Sequence, residues 1–573
     1  MKEKYVLEVL NPRSIRKMLP LQGLTAPRPS TLNKKRIAII PDKPDSDVFL
    51  DMLEQLLYAK YPEAIISRVY IDAFAKPEEA VAQIAGKYDV WIEGVKTAGH
   101  WEIDRMAPLE KAGIPGVTIT IDEYLPQRKR LAETHGLPGL RIVPVSSEKF
   151  LTNGASPKKN MEIAKEAFED IIHALTDPIT EEERNPKPFE YDYSNLIFEG
   201  KDYAEANEKF QAYFAEHEMG DGLALVPPTK EAVERMLSGT SRSPDEVLGI
   251  MEPGYGVATI EKVAINAVMA GAKPEYLPVI IAAVEGLVDP DFDEYHIQVC
   301  HVGSGALIIV NGPIAKEIGM NCKSGYLNPG NRANSTIGRA ISLCLINIGW
   351  GLYKTEHCFA GTANRYCNTI ICENEEDSPW ESFAIEQGYS PEDSIVVIDE
   401  TLGSVWGPAG TMYAQPLEAD IQKLADMLGT WANTDTMPHL NLKTSVNTLL
   451  IYPSLARQLA AAGYTKEKLK DELVNRRRIP WEKLNPGARE EYLILAKEGS
   501  IPHLSVDDCQ TGRTVPLFNR NRLRIIVVGP MAGMCVRYYS YGNYKSYMRG
   551  YDYTSKPFNI KKIHGATLTK AGR

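Results

Sequence analysis

Between residues 32 and 175, short apolar segments alternate with longer amphipathic ones, and this alternation limits the folds open to the chain more than any other feature. The segments with strand character are RIAIIPD, AIISRVYI, YDVWIEGV, IPGVTITID and RIVPVS. Helical periodicity follows them over residues 47–61, 77–87, 103–112 and 157–175. Strands that alternate with helices at this spacing are joined by right-handed crossovers and form a parallel sheet covered on both faces. The pattern predicts a doubly wound α/β domain of the flavodoxin- or Rossmann-like type over residues 32–175.

The rest of the sequence predicts three further regions. Residues 1–31 are interpreted as an N-terminal arm that packs elsewhere on the protein. Residues 176–194 are rich in acids and prolines and have no apolar periodicity, which is typical of a linker. Residues 195–573 are expected to form a larger mixed α/β domain, with two subdomains as an alternative, because 573 residues exceed what one hydrophobic core usually supports.

Composition limits the partners and the compartment. A net charge of −11 and a pI near 5.6 leave no broad cationic surface for phosphates, so no nucleic-acid partner is expected. No apolar segment reaches the roughly 18 residues of a membrane helix, and the first residues lack the apolar core of a secretory signal. We therefore expect a cytoplasmic protein with no membrane partner. Eight cysteines are too few for a disulfide scaffold, and a large acidic chain with many loops is expected to form a homo-oligomer.

The segment EGVKTAGHW places a polar loop at the carboxyl end of the third predicted strand, where doubly wound sheets bind their ligands. Gly99 permits a tight turn, and the helix after the loop points free N–H groups at the cleft, which favours an anion. His100 is a candidate general acid or base because its ordinary pKa is near neutral, and Lys96 and Glu102 lie beside it in the sequence. A structural role, in which His100 hydrogen-bonds a loop carbonyl, explains its presence equally well.

The same segment, together with LEKAGIPGVTI after it, resembles the UGSC-like proteins over about 140 residues. That family carries a selenocysteine or cysteine in a loop of the form G-x-x-x-U-G-S-C. Gly94 and Gly99 match, whereas Ala98 stands at the position of the selenol or thiol, His100 replaces the serine and Trp101 replaces the second cysteine. Because an alanine methyl is neither a nucleophile nor a redox centre, we do not expect thiol redox chemistry in this loop.

A second resemblance covers much of residues 195–540. The segments ATIEKVAINAVMAGAKPEYLPVIIAAVE, IIVNGPIAKEIGMN and NRANSTIGRAISL resemble a largely uncharacterised bacterial region that accompanies UGSC-like domains. The resemblance implies a shared architecture and no particular reaction.

The segment NPGNRANSTIGRAI predicts a helix that follows a Gly/Pro/Asn turn. Arg332 and Arg339 are seven residues apart and therefore lie on one helical face. A helix N-terminus beside a guanidinium group binds carboxylates and phosphates well, so Asn331, Arg332 and Arg339 are candidate substrate-binding residues. Pairing of the two arginines with acids of a neighbouring element explains the spacing equally well.

The segment MEPGYGVATIEKVAINAVMAGA predicts a helix with Thr259 as its N-cap, on which Lys262 and Asn266 are four residues apart. These polar side chains on an otherwise apolar helix face either solvent or a cleft, and the glycine-rich entry favours the cleft and a role in substrate binding. The spacing does not match a P-loop, and no strand–helix turn carries a full dinucleotide fingerprint. The sequence therefore supports no nucleotide cofactor.

Histidines and cysteines cluster in the C-terminal region. Gaps of nine and five residues separate Cys358, Cys367 and Cys372, which is unlike the paired knuckles of zinc sites and favours buried structural thiols. A transition metal remains the alternative, with a mixed nitrogen and sulfur ligand set. The candidate ligands are His301, His357, Cys358, Cys367 and Cys372.

Together these features predict an enzyme that acts on a small anionic metabolite in a cleft between the two domains. Acid/base groups without a nucleotide motif suit lyase-type chemistry, and the resemblance to a family that uses sulfur or selenium favours carbon–sulfur or related carbon–heteroatom bonds. The alternative is a non-catalytic ligand-binding or assembly subunit, in which Ala98 marks a lost active site.

Overall fold

The computed structural model of the chain describes residues 4–41, 48–71, 76–96, 101–153, 156–299, 304–353, 365–401, 403–407, 416–429, 438–540 and 558–567. Its strands are β1 Tyr5–Val9, β2 Arg36–Ile40, β3 Ile65–Arg68, β4 Val90–Lys96, β5 Gly116–Ile121, β6 Ile142–Val145, β7 Leu196–Gly200, β8 Val247–Met251, β9 Gly256–Thr259, β10 Gly305–Asn311, β11 Thr369–Cys372, β12 Ile395–Thr401, β13 Gly403–Trp406, β14 Val446–Ile451, β15 Arg478–Pro480, β16 Thr514–Pro516, β17 Leu523–Val527, β18 Val536–Ser540 and β19 Asn559–Lys562.

The α-helices that the structure describes are α1 Val48–Lys60, α2 Pro77–Ile84, α3 Trp101–Lys111, α4 Leu125–Thr134, α5 Ser147–Asn153, α6 Pro157–Thr176, α7 Glu181–Arg184, α8 Tyr203–Glu216, α9 Lys230–Leu237, α10 Ile260–Met269, α11 Leu277–Leu287, α12 Glu294–Val299, α13 Pro313–Glu317, α14 Arg332–Asn347, α15 Phe383–Glu386, α16 Leu417–Met427, α17 Pro438–Lys443, α18 Pro453–Ala461, α19 Lys466–Arg476 and α20 Pro486–Glu498. No helix among the described residues is both long and apolar enough to cross a membrane.

The N-terminal sheet contains five parallel strands in the order β3-β2-β4-β5-β6. Its strands are apolar on both faces, because α1 and α6 cover one face and α2, α3 and α4 cover the other. This confirms the predicted doubly wound α/β domain, and the strand order is the flavodoxin-like one. The order reverses between β2 and β4, so the carboxyl ends of these two strands form the topological switch point.

The structure adds a helix that the sequence pattern did not predict. Helix α4 follows β5, yet its sequence LPQRKRLAET is strongly polar. It nevertheless buries Gln127, Arg128 and Leu131, and Leu131 packs in the apolar cluster that also contains residues of α2 and α3.

The N-terminal arm packs against the C-terminal region. Strand β1 pairs antiparallel with β7, and Leu7 and Val9 enter the core formed by α8, α10, α11 and α14. The arm then passes beside α4, so it contacts both parts of the protein.

Two four-stranded mixed sheets organise the C-terminal region, which confirms the predicted mixed α/β character. Their orders are β11-β10-β12-β19 and β13-β18-β14-β17. Alternate residues of β10 face opposite ways: Ile308 contacts the helical core, and Ile309 packs in the cluster shared with the second sheet. Both faces of this strand are therefore buried, which explains its continuous apolar sequence.

Candidate functional site

The predicted catalytic loop follows β4 at the switch point of the parallel sheet. Gly99 and His100 lie outside the described residues. Lys96 is the last residue of β4 and Glu102 the second residue of α3, and their side chains lie outside what the structure describes. The roles expected for these four residues stay predictions.

A polar group is buried in the sheet just before that loop. Glu93 on β4 is fully buried and accepts a hydrogen bond from the Thr118 hydroxyl of β5. The pairing of the two strands shifts register between Glu93 and Val95, and such bulges often lie beside active sites. Arg105 on α3 and Arg128 on α4 are also almost completely buried. Glu93 is therefore a buried carboxylate in the strand that leads into the predicted loop.

A second site lies where four segments of the chain meet. The arm, the second half of α4, the linker and the turn after α14 border an open cavity of about 650 Å³. Its lining is cationic and aromatic: it carries Arg13, Arg16, Lys129, Arg130, Glu133, Pro138, Phe189, Glu190, Tyr191, Trp350 and Leu352. We call it the arginine pocket.

Trp350 is the centre of this pocket. Its indole N–H donates to the Ser14 carbonyl at 3.0 Å, which anchors the ring on the arm. The backbone of Trp350 has a positive φ of 57°, and Gly254 packs against it so closely that a Cβ there would lie 2.4 Å from the Trp350 Cβ. The backbone N–H of Gly254 donates to the Gly349 carbonyl at 2.7 Å. The turn therefore requires a glycine at position 254 in order to present the indole.

Three guanidinium groups surround the Trp350 ring. Their carbon atoms lie 4.4 Å (Arg13), 5.7 Å (Arg16) and 5.9 Å (Arg130) from the ring centroid. Arg13 also lies over Tyr191, and Arg16 lies over Phe189. Cations at this distance from an indole are stabilised by its quadrupole, and the stabilisation grows as water is excluded.

Backbone carbonyls hold the arginines in place. Arg13 donates to the His217 carbonyl at 2.5 Å, Arg16 to the Gly254 carbonyl at 2.9 Å and Arg130 to the Trp350 carbonyl at 3.1 Å. Glu133 lies 3.5 Å from Arg16 and is the one carboxylate among the described residues that forms an ion pair with either Arg13 or Arg16.

The pocket therefore has an excess of positive charge. Burial lowers the pKa of Arg13 and of Arg16, and the nearby charge of Arg130 lowers both further. Within the described part of the chain, Nε of Arg13 and Nη2 of Arg16 are buried without a hydrogen-bond partner. Arg13 itself is only 6% exposed. An anion in the pocket would reduce the repulsion and accept the unused N–H groups.

Arg332 and Arg339 have structural partners. Arg332 donates to the Gly271 carbonyl, just beyond the end of α10, at 2.9 and 3.1 Å. Arg339 forms an ion pair with Asp221 at 2.7 Å and donates to the Ala224 carbonyl at 2.9 Å. This agrees with the alternative in which a neighbouring element satisfies the arginines, and substrate binding by either stays a prediction.

Asn331, Lys262 and Asn266 also contact protein groups. The Asn331 side chain caps α14 by accepting from the backbone N–H of Asn334 at 3.1 Å. Lys262 donates to the Asn11 carbonyl at 2.6 Å, and Asn266 is fully buried and accepts from Asn347 at 2.8 Å. The polar face of α10 therefore contacts the arm and α14, although the glycine-rich entry favoured a cleft.

Only two of the predicted metal ligands fall within the described residues. His301, His357 and Cys358 lie outside them. Cys367 is half-buried beside Arg339, whereas Cys372 is buried at the end of β11. No group of three or more His, Cys, Asp or Glu side chains suited to a metal occurs within the described ranges. Metal binding stays a prediction.

Sequence reasoning missed the arginine pocket. Arg16, Arg130 and Trp350 come from segments that are far apart in the chain, and isolated arginines in an arm or a polar helix have no distinctive pattern. The positive-φ tryptophan beside a glycine turn is visible only in the structure.

Comparison with known proteins finds that part of the chain is similar to one family. No curated protein matches the sequence. Residues 8–177, which include the pocket's four basic side chains and the whole parallel sheet, match the model of the UGSC family, so this part of the chain is UGSC-like.

Proposed function

We propose that the chain is an enzyme that acts on a small anionic metabolite, and that the arginine pocket binds the anionic group. The observation that carries the proposal is the group of guanidiniums around Trp350, in which Glu133 pairs with Arg16 and no ion pair to Arg13 occurs among the described residues. A cavity of about 650 Å³ has the size of typical small-molecule sites. The position of the pocket, between the UGSC-like domain and the C-terminal region, agrees with a ligand bound between domains.

The pocket favours a planar carboxylate or a phosphate. Guanidinium groups bind such oxygens through two parallel hydrogen bonds, and the unused N–H groups of Arg13 and Arg16 are available for this. Aromatic walls formed by Trp350 and Tyr191 suit an apolar portion of the same ligand.

The reaction is proposed from the residues of the predicted loop. Acid/base chemistry would come from His100, Lys96 and Glu102 at the carboxyl end of β4, close in the sequence to the buried Glu93. Lyase-type cleavage of a carbon–heteroatom bond, with carbon–sulfur bonds as the first choice, suits such groups. We also propose that the protein is cytoplasmic and forms a homo-oligomer.

The rival proposal is a ligand-binding or assembly subunit without catalysis. The observation that favours it is Ala98, which replaces the nucleophile of the UGSC loop. A ligand-binding subunit would also bind the anion, so only turnover separates it from the enzyme, whereas an assembly subunit does not require anion binding.

Anion binding is tested by thermal unfolding in citrate, in inorganic phosphate and in chloride at equal ionic strength. Citrate or phosphate at 100 times its Kd should stabilise the protein by about 2.7 kcal/mol. The increase in Tm should be lost in Arg16→Gln and Arg13→Gln and retained in Arg184→Gln, which changes an exposed arginine outside the pocket. Equal increases in all four proteins would show that the anions do not act at the pocket.

Catalysis is tested separately with candidate thiol-containing and hydroxyl-containing carboxylates. Mass spectrometry follows the unsaturated carboxylate that remains after hydrogen sulfide or water has left. His100→Ala should abolish turnover and leave the citrate-induced increase in Tm unchanged. Anion binding with no turnover of any tested substrate would favour the non-catalytic subunit.

A further inference from the structure

The two chain connections between the UGSC-like domain and the C-terminal region meet at the arginine pocket. The first is the arm, which leads from β1, paired with β7 of the C-terminal region, to β2 in the parallel sheet. The second is the linker, which leads from α6 to β7. The arm supplies Arg13 and Arg16 to the pocket, and the linker supplies Phe189, Glu190 and Tyr191. A ligand in the pocket is therefore bordered by both connections.

One part of the arm is docked on the C-terminal region beside β9. The Lys17 N–H donates to the Tyr255 carbonyl at 2.7 Å. The Val257 N–H donates to the Ile15 carbonyl at 2.9 Å. These backbone hydrogen bonds lie on either side of Arg16, so they place its side chain in the pocket.

The next part of the arm is docked on the UGSC-like domain, just after α4. The Leu19 N–H donates to the Thr134 carbonyl at 3.3 Å, which is the last residue of that helix. The Gln22 N–H donates to the Gly136 carbonyl at 2.7 Å. Gly136 has a positive φ of 71°, and a Cβ there would lie 2.3 Å from the Pro20 carbonyl oxygen. The arm therefore approaches this turn so closely that the turn requires a glycine.

The arm and the linker are also joined to each other. The Asn11 side chain donates to the Asp192 carbonyl at 3.2 Å and to the Ser194 carbonyl at 3.3 Å. Farther along the arm, the Leu24 N–H donates to the Glu183 carbonyl at 2.8 Å. The two connections are thus held together on both sides of the pocket arginines in the sequence.

Docking of the arm brings like charges together. Arg13 and Arg16 belong to the arm, whereas Arg130 belongs to α4 of the UGSC-like domain, and all three guanidinium carbons lie within 5.9 Å of the centroid of the Trp350 ring. The positive charge of Arg130 repels both arm arginines. An anion between them reduces this repulsion only while the arm is docked, so it stabilises the docked arm over the released one.

We propose that an anion bound in the arginine pocket is a latch that fastens the docked arm and, with it, the linker. The inference rests on the anion binding proposed above and adds its consequence for the fold. Because the arm and the linker connect the UGSC-like domain to the C-terminal region, fastening both restricts the motion of one part against the other. Binding and docking are linked reciprocally, so release of the arm weakens anion binding by the same factor.

Two glycine variants of the full-length protein test this linkage. Gly136→Ala places a Cβ against the Pro20 carbonyl of the arm. Gly463→Ala is the matched control, because that glycine also has a positive φ, of 87°, but a Cβ there meets no atom within 4 Å. Neither glycine lines the pocket. Isothermal titration calorimetry with citrate should give a Kd at least about fivefold higher in Gly136→Ala and an unchanged Kd in Gly463→Ala.

Hydrogen–deuterium exchange measured by mass spectrometry follows the arm directly. In the wild type, citrate at 100 times its Kd should slow exchange in peptides covering residues 15–24 by up to about 100-fold, because the anion must leave before the arm opens. Linker peptides covering residues 183–194 should be protected as well, and Arg16→Gln should show neither effect. Peptides covering β15 and β16 are the control and should exchange at the same rate with and without citrate.

The possible failures separate the latch from the anion site. Citrate that binds the wild type without protecting the arm, or that binds Gly136→Ala as tightly as the wild type, would overturn the latch and leave the anion site intact. No citrate binding to the wild type would overturn both. If Gly136→Ala fails to fold, exchange of the wild-type arm with and without citrate decides the outcome.

Discussion

The Arg13 guanidinium lies 4.4 Å from the centroid of the Trp350 ring, so a residue of the N-terminal arm is stacked on a residue of the C-terminal region. The indole also hydrogen-bonds the Ser14 carbonyl. The arm is thereby fixed against the helical core in two ways, by ring stacking and by a hydrogen bond.

We expect Trp350→Leu to destabilise the protein by about 3 kcal/mol, because it removes a buried ring and leaves the Ser14 carbonyl without its donor. The arm should also become sensitive to proteolysis near residues 12–16. Urea unfolding and limited trypsin digestion measure the two effects. The matched variant Trp406→Leu, at a ring that is 56% exposed, should change the free energy of unfolding by less than about 0.5 kcal/mol. Equal losses in both variants would contradict a specific role for Trp350.

The ion pair between Arg339 and Asp221 is expected to contribute to the free energy of unfolding. The Asp221 side chain is 4% exposed, so Arg339→Leu would leave a buried carboxylate unpaired and cost about 3 kcal/mol. Asp221→Asn in the Arg339→Leu background should recover part of this loss. The measurement is a double-mutant cycle by urea unfolding. A variant that retains full stability but loses citrate binding would instead assign Arg339 to a substrate.

Two helical glycines should respond to alanine in opposite directions. In α14, a Cβ at Gly338 would lie 1.7 Å from the Cys367 carbonyl oxygen, so Gly338→Ala forces the backbone apart and should cost about 1–3 kcal/mol. In α20, a Cβ at Gly487 would meet Oδ1 of Asn485 at 3.5 Å, which is ordinary contact, so Gly487→Ala should stabilise by up to about 1 kcal/mol. Thermal unfolding of the two variants tests the contrast. Stabilisation by both would show that α14 lies farther from Cys367.

Asp89 makes the stability depend on pH. Its carboxylate accepts hydrogen bonds from the side chain and backbone of Arg36 at 2.8 to 3.3 Å, and these contacts lower the pKa of Asp89 below its ordinary value of 3.8. A lowered folded-state pKa means that the folded protein binds the proton less tightly than the unfolded chain. The stabilisation is therefore present above the unfolded pKa of about 4 and is lost as the pH falls through the lower folded value.

The corresponding variant is Asp89→Asn, which should cost about 1 kcal/mol near neutral pH after allowance for solvent screening. The difference from the wild type should shrink as the pH falls below about 4. Urea unfolding at a series of pH values follows this difference. Asp170→Asn, at an exposed position of α6, is the control and should show no such trend. A difference that grows in acid would contradict the assigned direction.

Some of the fold was predictable because the pattern of apolar residues within each segment indicates whether it forms a strand or a helix. Strands β2, β4 and β5 pack against helices on both faces, so most of their residues are apolar and their sequences separate clearly from the amphipathic helices around them. Helix α4 was missed because it buries Arg128 and Gln127, and burial of such residues depends on partners outside the helix.

The candidate sites also differ in how far the local sequence reveals them. Arg332 and Arg339 form a clear local pattern, yet Gly271 and Asp221, which are distant in the sequence, occupy their guanidinium groups. The arginine pocket has no local pattern, because it depends on segments that meet only after folding.

By itself, the sequence determined the parallel α/β domain and its resemblance to the UGSC family. Periodicity and a local motif encode these features within a few tens of residues. Only the tertiary structure decided that Arg13, Arg16 and Arg130 converge on Trp350. The physical reason is that charge repulsion and stacking depend on distances across the fold, and spacing along the chain does not specify those distances.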